Sequence, residues 1–276
     1  MLEGLTKYWG FYFVAVPDDN NVGIRDLQNV LNDVAEYDEW VSDLRSLPPE
    51  ELAGQNDINS GIATKHLRKL LAARIMVFQL FLELAIELDG KILEKHKRIW
   101  LLFQLSDRLS GRSGTLHPFV RIIEKFLFHA SNEALITLVN RFPGFPDILD
   151  RYVPQTHFII GLDEAQRAAR KYPYSFISST SDGRPRSIIR EIVRVFAKLP
   201  IKLVVSGTGL SLGDIRDAMA SGVSKTRAVN VFYQLGMFDT WPKLKLFFER
   251  YIPPSILDSP SGSRLQQRIR EYLLGR

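Results

Sequence analysis

The sequence predicts a mixed α/β protein: a short parallel sheet, a large helical insertion and a helical tail. Three observations lead there. Three short apolar runs, YWGFYFVAV at 8–16, HFIIGL at 157–162 and IKLVV at 201–205, are continuous rather than alternating, as in strands buried on both faces. The second and third are bridged by a helical stretch at 187–199, and strand–helix–strand at this spacing reads as a right-handed βαβ unit with parallel strands. Between the first and second, apolar residues recur at helical spacing through most of 63–142.

The first run is aromatic and β-branched, with a small residue at Gly10, and Pro17-Asp18-Asp19-Asn20 closes it with turn chemistry. Apolar and acidic positions then mix at helical spacing over 22–46. Two prolines and two glycines make 47–61 a loop. A helix follows over 63–88 with Thr64 as its cap, and a second over 93–105 contains Trp100. After a polar break at 106–114, helices are expected at 118–130 and 132–141, before Pro143, Gly144 and Pro146 close the block. A further strand is expected at 228–233. The tail from 241 is helical and basic, broken by Pro253-Pro254 and by the SPSGS loop at 259–263.

A chain of 276 residues that is 45% hydrophobic can bury a sizeable core. Its 36 basic and 31 acidic residues give a net charge of +5, a mild excess that permits an anionic partner without requiring one. The absence of cysteine excludes disulfides, thiolate nucleophiles and cysteine-ligated metals. The N-terminus lacks the tripartite pattern of a signal peptide. The most apolar stretch, 70–88, carries Arg74, Gln79, Glu83 and Glu87, too many polar groups for a lipid-facing span. An intracellular protein, cytoplasmic or nuclear, is expected, with no membrane association.

Parallel sheets place functional groups at the carboxyl ends of their strands. The second strand ends in Asp163-Glu164. In a nucleotide-hydrolysing site the first carboxylate would help to hold Mg²⁺ and the second would polarise the attacking water. The same pair also suits the cap and first turn of the helix that follows, and both readings stay open on this pattern alone. The third strand ends in Ser206-Gly207-Thr208-Gly209, where hydroxyls could touch a γ-phosphate and Gly207 allows close backbone approach. Arg184 and Arg186 precede a helix on which Arg186, Arg190, Arg194 and Lys198 recur at i, i+4. This stripe could contact phosphate or a nucleic-acid backbone, with Arg184 or Arg186 as an arginine finger, or it could be a solvated face. No Gly-x-x-x-x-Gly-Lys-Ser/Thr loop is present, and the five histidines show no metal-ligand spacing.

The segments YWGFYFVAV, IIGLDEAQ, DGRPRSIIREIVR and VVSGTGLSL together resemble the ATPase module of crinkler-type proteins of fungi and oomycetes, in the STAND/AAA-like branch of P-loop NTPases. The resemblance covers the chain to about residue 240. It implies an incomplete P-loop NTPase-like domain over 1–236 and a helical segment over 237–276, cut at both ends. By motif it implies that Asp163 binds Mg²⁺, Glu164 polarises water, Gly207 lies at the nucleotide, and Ser206 or Thr208 is the sensor, with Arg184 and Arg186 as further candidates. It also implies a sheet order of 5-1-4-3-2, with the runs at 8–16, 157–162 and 201–205 as strands 2, 3 and 4. Strand 1, which carries the phosphate-binding loop, has no counterpart. ATP and Mg²⁺ are the family's ligands, yet this chain alone is expected to bind neither tightly. The alternative is a regulatory module that engages a protein partner or a second copy, or nucleic acid through the basic helix and tail.

Overall fold

The computed structural model describes residues 2–16, 22–105, 116–140, 158–177, 185–197, 199, 202–207 and, near the end of the chain, 259, 260, 262–264 and 266–268. The chain divides into two units, Met1–Thr226 and Arg227–Arg276. In the second, Pro260 and 262–264 are helical where a loop was expected. The reason is local: the Ser259 hydroxyl accepts from the Gly262 amide at 2.9 Å, and proline is tolerated in a first helical turn. The strand expected at 228–233 and Pro253-Pro254 lie outside the described residues.

The first unit is α/β and mostly helical. Strands β1 (Trp9–Val14), β2 (Phe158–Asp163) and β5 (Lys202–Val205) form a three-stranded sheet in the order β1-β2-β5, parallel throughout. Direction and order are those expected for the three apolar runs. Every residue of β1 is buried, which accounts for its continuous apolar sequence. Trp9, Phe11 and Phe13 point into the main core with Ile160 and Leu162, while Tyr12 and Val14 join Leu5 and Leu101 on the opposite face. Gly10 is required where it stands: a Cβ there would lie 2.2 Å from the Ile159 carbonyl oxygen and 2.4 Å from Leu5. A two-stranded antiparallel ladder that sequence spacing did not suggest joins β3 (Phe176–Ile177) to β4 (Pro185–Arg186).

Helices α1 (Leu2–Lys7), α2 (Asp26–Asp33), α3 (Pro49–Asp89), α4 (Glu94–Leu105), α5 (Pro118–Lys125), α6 (Asn132–Asn140), α7 (Ala165–Lys171) and α8 (Ile189–Phe196) surround the sheet. The expectation of a loop over 47–61 is wrong: α3 runs 41 residues without a break, and Thr64 lies inside it. Pro49 occupies the start, where its missing N–H is not needed, and Glu50 and Glu51 suit the positive end of the helix dipole. Gly54 and Gly61 each face open space, and Gly90 ends the helix at φ 71°.

The asparagines that made this stretch look loop-like are long-range anchors. Asn59 is bonded to both backbone groups of Val41 and to the Ser175 carbonyl, and Asn56 accepts from Ile177 N–H at 2.9 Å. They also explain a second correction, since the helix expected over 22–46 stops at Asp33. It gives way to 3₁₀ turns at Val34–Glu36 and Leu44–Ser46, and Asn59 satisfies the extended chain between them. Among the described residues no helix is long and apolar enough to cross a membrane.

Candidate functional site

The carboxyl ends of the three strands form one row: Val14 stands opposite Asp163, and Ser206 follows Val205, which pairs with Leu162. Backbone bonds carry this pairing beyond the strands, from Ala15 N to Asp163 O (3.0 Å), Ser206 N to Leu162 O (2.8 Å) and Ala165 N to Ser206 O (3.1 Å). Position in the row is therefore set by the sheet itself.

Both oxygens of the Asp163 carboxylate are held. Oδ1 accepts from the Ser206 hydroxyl at 2.5 Å and from the Glu164 amide at 3.0 Å, and Oδ2 accepts from the Tyr12 hydroxyl at 2.9 Å. Tyr12 stands opposite Gly161, so no β2 side chain occupies the row beside its ring. Three donors on one carboxylate fix its orientation.

Glu164 differs. It sits at φ 52°, ψ 32°, and it is the single non-glycine residue with positive φ among those described. That left-handed conformation costs roughly 1–2 kcal/mol and starts α7 directly after the strand. Its carboxylate accepts from the Gln166 amide at 2.5 Å and lies 3.9 Å from Arg167 Nε, with about a third of the side chain exposed. One carboxylate is thus locked by the sheet, and its neighbour projects from a strained turn into a more open setting.

Of the residues expected at a site, Asp163, Glu164 and Ser206 are brought together, and Gly207 follows directly, half-buried. Arg184, Lys198 and Thr208 lie outside the described residues. Arg186 is half-buried on β4, opposite Phe176. The outward basic stripe is corrected for Arg190 and Arg194. Arg190 is buried, with one guanidinium nitrogen 2.6 Å from the Ile177 carbonyl; burial first, and then the charges of Arg194 and Arg186, lower its pKa. Arg194 pairs with the buried Glu191 at 2.5 Å and donates to Ser60 (2.6 Å) and Thr64 (2.8 Å) of α3. The i, i+4 spacing does put these arginines on one face. Yet the apolar residues Ile189, Ile192, Val193, Val195 and Phe196 fill so much of α8 that this face turns inward, Arg190 against β3 and Arg194 against α3.

Tyr12 is the contributor that sequence reasoning missed, its one signal being a hydroxyl-bearing residue two positions before the end of a strand. Among the described residues no cluster of three or more histidine, aspartate or glutamate side chains is placed to hold a metal ion on its own. Comparison with protein-family models, with curated proteins and with solved structures gave no match.

Proposed function

We propose that the row at Asp163 and Ser206 is the acidic half of a Mg²⁺–nucleoside triphosphate site of the P-loop NTPase kind. The observation that carries this reading is the bond from Ser206, at the end of β5, to Asp163, at the end of the adjacent parallel strand β2. A hydroxyl and a carboxylate locked together at neighbouring strand ends are what a metal-binding acid and a phosphate-sensing group require.

Mg²⁺ is commonly held by one or two carboxylates together with the phosphates it bridges, so a single anchored aspartate fits that chemistry. When bound, the ion would neutralise developing phosphate charge. Asp163 would hold it through the carboxylate that Ser206 and Tyr12 orient. Glu164, on its strained turn, would orient water and accept its proton. The chain's sequence contains no Gly-x-x-x-x-Gly-Lys-Ser/Thr segment to supply amide donors and an ammonium. Without those groups the two carboxylates repel triphosphate, so affinity for Mg-ATP is expected to be weak. An intracellular setting belongs to the same proposal.

The test joins the gene to calorimetry. The reading frame upstream of the Met1 codon should encode a strand followed by such a loop. Titrated with Mg-ATP, the 276-residue chain should bind with Kd no tighter than about 1 mM, and the extended chain at micromolar level. Asp163→Asn should weaken the latter at least tenfold. An upstream frame without the loop, or micromolar binding by the chain alone, overturns the proposal.

A further inference from the structure

The Asp163 carboxylate has fewer open positions than its place at a strand end suggests. A carboxylate oxygen has room for about two donors. Both positions on Oδ1 are taken, one by the Ser206 hydroxyl at 2.5 Å and one by the Glu164 amide at 3.0 Å. Among the described residues Oδ2 accepts one bond, from the Tyr12 hydroxyl at 2.9 Å, so about one position stays open on that oxygen.

All three donors are anchored. The Glu164 amide belongs to the peptide bond that follows Asp163 itself. The Ser206 backbone donates to the Leu162 carbonyl at 2.8 Å and accepts from the Ala165 amide at 3.1 Å. Tyr12 is 3% exposed and lies among Leu5, Val14 and Leu101. Gly23 stands close to its ring, since a Cβ there would lie 3.4 Å from Tyr12 Cε1.

Ca²⁺ takes about six to eight oxygens and readily accepts both oxygens of one carboxylate. Mg²⁺ demands a near-ideal octahedron, keeps several waters and needs one oxygen from each acid. Chelation by both oxygens requires an open position on Oδ1 and on Oδ2 together. Oδ1 is filled, so Asp163 serves a cation through Oδ2 alone. That suits Mg²⁺ and denies Ca²⁺ a ligand.

Of the two donors on Oδ1, the Ser206 hydroxyl is the one that belongs to a side chain. We infer that Ser206 determines the site's choice of cation: by occupying Oδ1 it holds Asp163 to binding through one oxygen and favours Mg²⁺ over Ca²⁺. The inference rests on the nucleotide reading of this site. Tyr12 has a different role, aiming Oδ2 and so acting on both cations alike.

Carboxyl ¹³C NMR of the 276-residue chain, with labelled aspartate and equimolar ATP, tests it in titrations with MgCl₂ and CaCl₂. The Asp163 signal is identified by its loss in Asp163→Asn. At millimolar concentrations both cations should move it, Ca²⁺ at least about threefold more weakly than Mg²⁺. Ser206→Ala should reduce that preference at least about threefold, and Ser206→Thr, which keeps the hydroxyl, should preserve it. Tyr12→Phe should weaken both cations by a similar factor and leave their ratio unchanged. No preference in the unaltered chain, a ratio indifferent to Ser206→Ala, or a ratio that Tyr12→Phe alters as much as Ser206→Ala overturns this inference and spares the nucleotide reading. An Asp163 signal that neither cation moves overturns both.

Discussion

The two outer edges of the three-stranded sheet are treated in opposite ways. Along β1, side chains of α4 stand in for a neighbouring strand. Trp100 Nε1 donates to the Gly10 carbonyl at 2.8 Å and Gln104 Nε2 to the same oxygen at 3.2 Å, and Gln104 Oε1 accepts from the Tyr12 amide at 3.0 Å. Lys97 continues the series one turn earlier, reaching the Lys7 carbonyl at 3.1 Å. Gln104 is itself held by Arg74, whose guanidinium makes two bonds to Asp26 at 2.7 and 2.9 Å and lies 3.9 Å from the Phe119 ring.

Along β5, among the described residues, the only strand partner is β2, and Lys202 and Val204 are exposed. The difference teaches that an edge can be closed without another strand, provided one helix presents polar groups at the spacing of the strand's outward amides and carbonyls. Such closure is permanent, because breaking it leaves buried groups unpaired. Among the described residues, no side chain or strand closes the other edge in this way.

The largest effect is expected from removing the root of the closed edge. Arg74→Met leaves the Asp26 carboxylate, whose side chain is wholly buried, without its ion partner, and should cost about 3–5 kcal/mol in urea unfolding. Next comes Gln104→Leu, which fills the same space but strands the Tyr12 amide; it should cost about 1–3 kcal/mol and speed hydrogen exchange at Tyr12 while leaving β5 unaltered.

A smaller effect should follow acidification. Burial, and then the charge of Arg74, pushes His117, bonded to the Phe103 carbonyl beside the closed edge, down to about 4 from 6.5. A base with a folded pKa below its unfolded value contributes its full stability above pH 6.5 and loses it progressively as pH falls towards 4. His117 should therefore contribute about 1 kcal/mol to the fall in unfolding free energy from pH 7 to pH 5, and His117→Gln should remove that share while His66, which burial also pushes down to about 4, keeps its own. The smallest effect belongs to the open edge: Val204→Lys should change stability by no more than about 0.5 kcal/mol, and a loss near 2 kcal/mol would mean that β5 is covered after all.

How much of this was readable in the sequence follows from what periodicity records. The three strands were legible because burial on both faces leaves an unbroken apolar signature, and Asp163 and Ser206 were legible because strand ends in a parallel sheet share one side. The closed edge was not. Trp100 and Gln104 look like any helical residues, and their bonds to Gly10 and Tyr12 span some ninety positions of chain. The start of α3 was misread because Asn56 and Asn59 favour turns by local propensity, while their partners lie in distant segments. Spacing grouped Arg190 and Arg194 correctly but could not tell which way their face looks, since that depends on where Ser60 and Glu191 stand in space.

The parity of β2 has a consequence of its own. Odd-numbered positions carry Gly161 and Asp163 to the site face, and even-numbered Leu162 has its side chain in the core. A slip of one residue against β1 would lift Asp163 away from Ser206 and drive a leucine out into its place. The oily side of the strand thus acts as the ruler for the polar side: Phe11 and Ile160, which never approach the carboxylate, decide to which residue the Ser206 hydroxyl is delivered.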